Sequence, residues 1–246
     1  MLRGFYNAAQ GMIVKQRQLD CIGNNIVNVN TAGYRKDEII TNTFMDELIL
    51  VNKRRETSGH LLQTYADVSK TNLEQSNFTY TDSNFDVAIY GNMYFNIRAE
   101  NGNVYQTRNG QWELDGEGYL ILGKSGRVQG RNGDIFLGTD NFEINNAGEI
   151  IIDGEAVDAL MLTYIPPDAD VEKLGDNLMS YAGNEQFPAD TEYYDVIQGA
   201  WEHSNVDGNK EITQLMEAHR LYEANSQILK MFDQINSKAT DIASVQ

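Results

Sequence analysis

Four apolar residues near the start of the chain, Phe5, Met12, Leu19 and Ile26, follow one another at intervals of seven, and Leu221, Ile228, Ile235 and Ile242 do the same near its end. A repeat of seven keeps side chains on one narrow stripe of an α-helix. Its mismatch with the helical turn winds paired helices into a left-handed supercoil. Both ends therefore read as long helices, each needing a neighbour that runs alongside it.

The first helix extends from Leu2 to about Val29, with Leu2, Ala8, Ala9, Ile22 and Val29 flanking the stripe. At 1.5 Å per residue it would be roughly 40 Å long. Asn7, Lys15, Gln16, Arg17, Gln18 and Asp20 keep its other faces polar, so it cannot be buried all round. On the C-terminal helix Ala224, Met231 and Val245 widen the row, and Lys238 interrupts it. Leu215, Tyr222 and Leu229, with Ala218, Phe232 and Ala239, form a second apolar face. Two such faces suit two neighbours at once, as in a bundle or the wall of a tube. Periodicity leaves open whether the two ends pair within one chain or between subunits.

The middle of the chain has a different texture. Residues 85–138 hold ten glycines among short apolar runs at Phe85–Tyr90, Tyr94–Ile97, Gln111–Leu114, Tyr119–Leu122 and Ile135–Leu137. Asn101-Gly102 and Asn109-Gly110 are dipeptides that favour tight hairpins. Further strands are expected at Glu149–Ile152 and Ala159–Ile165, ending at Pro166 and Pro167, with loops over 166–200. The fold class is α+β: long terminal helices, a coiled-coil-like pair, flank an all-β, Gly-rich, multi-stranded centre. The expected divisions are 1–60 (N-terminal helix and arm), 61–205 (β-rich outer domain) and 206–246 (C-terminal helix).

Charge and motifs exclude most chemistries. Of the formal net charge of −17, residues 61–205 carry the whole excess, with 24 Asp+Glu against 7 Lys+Arg. Such a field repels phosphate backbones, so nucleic-acid binding is not expected. The three histidines, His60, His203 and His219, lack zinc-hydrolase spacing, and neither a Gly-x-Ser-x-Gly elbow nor a phosphate loop occurs. The pairs Asp115/Glu117 and Asp153/Glu155 are what an acidic chain yields by chance. Asn205, Asp207 and Asn209 mimic the start of a calcium loop, but Lys210 and Met216 stand where Gly and Glu are required. Asn77-Phe78-Thr79 spells a glycosylation acceptor without a secretory context. Cys21 has no partner cysteine and reads as a buried, inert thiol. Neither a cleavable signal peptide nor a membrane span is expected. No catalytic, cofactor-binding or metal-binding residue is assigned, and an enzyme is not expected.

Three separated stretches carry a more specific signal. They are Asn7-Ala8-Ala9-Gln10-Gly11-Met12 with Asn24-Asn25-Ile26-Val27-Asn28-Val29-Asn30-Thr31-Ala32-Gly33-Tyr34; Phe85-Asp86-Val87-Ala88-Ile89 with Gly91, Tyr94, Phe95, Tyr105, Thr107-Arg108-Asn109-Gly110 and Gly126–Gly130; and Ser204-Asn205-Val206 with Arg220-Leu221-Tyr222-Glu223-Ala224-Asn225. In this order they resemble the flagellar rod and hook family of axial proteins. Ala32 and Met93 depart from its usual Pro and Gly.

The resemblance implies a structural subunit of the rod, or alternatively the hook, whose terminal helices pack into layers of a helical tube. It also implies partners among the axial proteins, a place in the basal body, and unfolded export through the flagellar type III apparatus. The expected subunit-interface residues are Phe5, Met12, Leu19, Asn24, Asn25, Ile26, Asn28, Leu221, Tyr222, Ile228, Leu229, Ile235 and Ile242. A carbohydrate-binding surface β-protein is the alternative class, and it leaves the heptad ends unexplained.

Overall fold

The computed structural model describes residues 2–43, 64–181 and 194–244, which form two compact units. The first holds the helix α1 (Leu2–Val27), the strands β1 (Asp37–Thr43) and β2 (Thr64–Thr71, as far as Lys70), and the helix α2 (Gly208–Ser244). The second is made of residues 28–36 and 71–206.

In the first unit α1 and α2 run antiparallel. Gly4 lies against Phe232, Gly11 against Asn225, and Asn25 hydrogen-bonds Glu211. At 26 and 37 residues the helices are about 39 and 56 Å long, so α2 runs well past the level of Gly4. Asp207 starts α2: its carboxylate accepts the N–H groups of Asn209 (3.0 Å) and Lys210 (3.2 Å). These donors have no partner inside the helix. The abortive calcium pattern is thus a helix cap. Asn25 fastens β1 to α1, donating to the Asp37 carbonyl (2.9 Å) and accepting the Asp37 N–H (3.1 Å). Cys21 is half-buried rather than buried, because it sits at the margin of this contact with its Sγ 3.1 Å from the same carbonyl.

The second unit is β throughout. Its main sheet centres on β5 (Met93–Arg98), which pairs antiparallel with β6 (Val104–Thr107), β9 (Gly126–Gly130) and β14 (Leu162–Tyr164). β8 (Leu120–Leu122) and β7 (Glu113–Leu114) continue it beyond β9, and β16 (Leu178–Ser180) and β15 (Glu172–Gly175) beyond β6. β10 (Gly133–Asp134) pairs with β9. A separate meander comprises β11 (Glu143–Ile144), β12 (Glu149–Ile152) and β13 (Glu155–Ala159). Two ribbons join distant parts of the chain: β4 (Val87–Tyr90) with β17 (Asp195–Gln198), and β3 (Phe78–Tyr80) with β18 (Ala200–Glu202).

β5 shows why the centre is a sheet. Its side chains alternate between faces, so Met93, Phe95 and Ile97 enter the main core with Trp112, Leu120, Val128 and Ile150, while Tyr94 joins Leu73, Ile165 and Met179 on the other side. Asn96 is buried on that side as well, satisfied by the Met161 carbonyl (2.9 Å) and the Thr163 hydroxyl (2.9 Å).

Three expectations need correction. The stretch 166–200 contains β15, β16 and β17 rather than loops alone. They are only three or four residues long, and sequences such as Glu-Lys-Leu-Gly and Leu-Met-Ser lack the apolar alternation that marks a strand. Asn101-Gly102 does turn the β5–β6 hairpin, with Gly102 at φ +81°, but Asn109-Gly110 turns no hairpin. It links β6 to β7, and a Cβ on Gly110 would stand 1.7 Å from the Val87 carbonyl oxygen. The expected run Ala159–Ile165 is broken, because Leu160 bridges to Gly130 before β14 begins.

Two outcomes follow. Gly110→Ala must push β4 away and should lower unfolding stability by about 1–3 kcal/mol or more in denaturant titration. Asp115 accepts the N–H groups of Tyr119 (2.8 Å) and Glu117 (2.9 Å) and pairs with Arg127. The Tyr119 N–H foremost holds its carboxyl below the ordinary carboxylate range. Its contribution to stability is therefore present above the unfolded-state value and lost as pH falls through the lower folded value. Acid unfolding of Asp115→Asn should show a shallower pH dependence in that range than the parent.

Candidate assembly surface

The antiparallel pair has an inner face set by small residues. Gly4, Ala8 and Gly11 of α1 fall at helical i, i+4, i+7 positions, and Cβ atoms at the two glycines would come within 2.7 Å of the Phe232 ring and 2.8 Å of the Asn225 amide. Along the facing side of α2, the buried or half-buried positions are Glu211, Leu215, Ala218, Tyr222, Asn225, Leu229 and Phe232, with Ser226 beside Asn225. This row repeats every seven residues, as a close helix pair requires.

That arrangement corrects two expectations. Phe5, Met12, Leu19 and Ile26 flank the α1 seam instead of forming it, and they are half-buried. Between the helices α2 uses its second face, the Leu215–Tyr222–Leu229 set, rather than the Leu221–Ile228–Ile235 row. Small residues in the α1 seam bring the backbones together, so bulky side chains must move to the sides.

Among the described residues the displaced row is exposed. Leu221, Ile228, Met231 and Ile235 are 41–57% exposed, as are Ile212 and Met216 on α2 and Tyr6 and Ile13 on α1. Of the other expected interface residues, Tyr222 and Leu229 are half-buried within the hairpin, Asn25 is buried, Asn24 is exposed, and Asn28 is half-buried with its amide oxygen accepting from Thr31 Oγ1 (3.2 Å). The Ile242 side chain lies outside the described residues. Single apolar residues on a surface are ordinary, but a row along several turns of a helix marks a surface that binds another protein.

Gly4 lies outside every sequence motif, and Gly11 belongs to the Asn7–Met12 stretch without marking a seam there. The spacing of small residues at i, i+4 and i+7 was their only signal, and it is also compatible with ordinary helix composition. Tyr6, Ile13, Ile212 and Met216 fell outside both heptad rows.

A polar groove over α1, β1 and α2 is lined by Lys15, Gln18, Asp37, Lys210 and Glu217 among others. Among the described residues, no group of three His, Cys, Asp or Glu is placed to hold a metal. No described helix is long and apolar enough to cross a membrane. In the β unit Asp115 and Glu117 both pair with Arg127, and Asp153 lies in the β12–β13 turn at φ +53°.

Two long antiparallel helices with an exposed apolar row, joined in sequence to a β-rich unit, are the features of a structural assembly subunit. Family comparisons agree. Residues 5–35 match the family model for flagella basal body rod protein, 88–155 that for the flagellar hook protein FlgE/F/G D1 domain, and 197–242 that for the flagellar basal body rod FlgEFG protein C-terminal region. The flagellar basal-body rod protein FlgG of Bacillus subtilis is 31% identical over 96% of this chain and 97% of its own length. FlgG of Agrobacterium fabrum is 30% identical over 96% and 97%. The flagellar basal-body rod protein FlgF of Caulobacter vibrioides is 27% identical over 95% and 93%. This chain belongs to the flagellar rod and hook axial family.

The seam makes a discriminating prediction. Ala for Gly inside a helix normally stabilises by roughly 0.5–1 kcal/mol. Gly23→Ala, with open space around it, should show that gain in thermal unfolding. Gly4→Ala and Gly11→Ala should lose the gain or reverse it, because the added methyl meets α2.

Proposed function

We propose that this chain is a structural subunit of the bacterial flagellar rod, polymerising through its terminal helices into a helical tube that transmits motor torque to the hook. The exposed Leu221–Ile228–Met231–Ile235 row carries the reading. It lies on a helix whose other apolar face is occupied by α1, and its exposure among the described residues supports a neighbouring subunit as its second occupant. Family membership supports the basal body as the location, and it supports the other axial proteins as partners.

A contact between unlike surfaces of identical subunits does not close on itself, and repeated it generates a helical filament. Burying a Leu, Ile or Met side chain contributes about 1.5–3 kcal/mol, so four of them offer on the order of 6–12 kcal/mol gross before ordering and association costs. That is enough to drive assembly at high local concentration. It is small enough per contact for a subunit to stay dispersed before incorporation. Export in an unfolded state through the flagellar type III apparatus fits such a subunit, whose assembly surface is then completed at the growing end.

Purified protein carrying Ile228→Ser and Ile235→Ser should retain the helical circular dichroism of the parent, because both side chains are solvent-facing in the single chain. It should fail to form filaments in sedimentation and electron microscopy, and cells carrying it should not swim. Filaments of normal yield from this variant would overturn the reading.

A further inference from the structure

The β unit contains a buried charge cluster that the helical surface does not use. Glu202, on β18, is 1% exposed, and Arg35 and Arg108 are as deeply buried. One Glu202 carboxylate oxygen accepts from Arg35 Nη1 (2.6 Å) and from the Ser76 N–H (2.8 Å), and the other from Arg108 Nη1 (3.0 Å). Its backbone carbonyl accepts the Gly33 N–H (2.7 Å). One residue thereby holds three separate segments of chain.

The grip extends on both sides of it. Arg108 also donates to the carbonyls of Ile89 (2.8 Å) and Gly91, and lies over the Tyr94 ring at 4.6 Å. The Lys36 N–H reaches Asn205 Oδ1 (2.7 Å), the Asn205 N–H reaches the Tyr34 carbonyl (3.3 Å), and Asn205 Nδ2 reaches the Asn72 carbonyl (3.0 Å). Residues 28–36 are the connector that leaves α1, and 199–206 the connector that enters α2.

We infer that Glu202 is a latch joining these two connectors, so that they dock on the β unit together or not at all. An exposed ion pair could open on one side at little cost. Here loss of Glu202 leaves two buried guanidinium charges without their counter-charge, which is strongly unfavourable, and loss of Arg35 takes from the buried carboxylate one of its two guanidinium partners. Because Gly33 and Arg35 are both held by Glu202, release of the first connector takes from the second the Gly33 N–H on its backbone carbonyl and one of the two guanidinium partners of its carboxylate. Each connector is therefore held more firmly while the other is in place, although 199–206 is also tied to β3.

Hydrogen exchange of the full-length chain, read by mass spectrometry, tests this. Arg35→Met removes a partner from the first connector only. The latch predicts that amides in both 28–36 and 199–206 exchange faster by a common factor, on the order of 100-fold or more, while those of β5 and β9 stay protected. Glu202→Gln should give the same paired rise. If it fails to fold, Arg35→Lys, which keeps the charge but loses the planar fork, decides with a smaller rise shared by both connectors. Glu117→Ala, which breaks an exposed pair with Arg127, should change neither. Acceleration confined to 28–36 in the Arg35 variants, or protection of both connectors throughout, would overturn the latch.

Discussion

The separation of the two long helices is the constraint on which the proposed assembly surface depends. Gly4, Ala8 and Gly11 leave no side chain to hold the backbones apart, so Phe232 and Asn225 of α2 close directly onto α1. Large residues in that seam would have filled the interface and left the remainder of each helix polar. With small residues there, the bulky apolar side chains have to stand at the flanks, and α2, the longer helix, carries a row that stays exposed among the described residues. A subunit with surplus apolar surface along one helix satisfies itself by association.

In the β unit the decisive element is of another kind. Hydrophobic alternation on β5 explains the sheet, but the segments that join the unit to the helices are short and polar, and they are held by charge. Arg35 shows the balance: burial works against its charge, yet Glu202 at 2.6 Å and the Tyr94 phenol outweigh this and hold its pKa above the ordinary value. For Arg108, whose burial costs more and which also feels Arg35, the shift is downward. A network of this type does little for net stability compared with an apolar core, but it tolerates few alternative arrangements.

How much of this is legible in the amino-acid sequence differs between the parts. The terminal helices, the β centre and the turn at Asn101-Gly102 follow from periodicity and turn chemistry, since each is local. The choice of seam does not, because the heptads of large residues mark where apolar side chains are, whereas glycines decide which face is occupied within the chain. The ribbons of β4 with β17 and β3 with β18 join residues more than 100 positions apart and leave no local pattern. The Arg35–Glu202–Arg108 cluster is likewise invisible until the fold brings its members together.

The most direct measurement is site-specific cross-linking in assembled filaments of a Cys21→Ser background with one cysteine introduced at Ile228 or at Leu229, using a short bifunctional maleimide paired with a second cysteine on α1. Cysteine at 228 should yield ladders of covalently joined subunits and cysteine at 229 only intrachain loops, because the first is exposed in the single chain and the second lies on the face of α2 turned to α1. Ladders from 229 with loops from 228, or no intersubunit product from either, would contradict an assembly surface formed by the exposed row of α2.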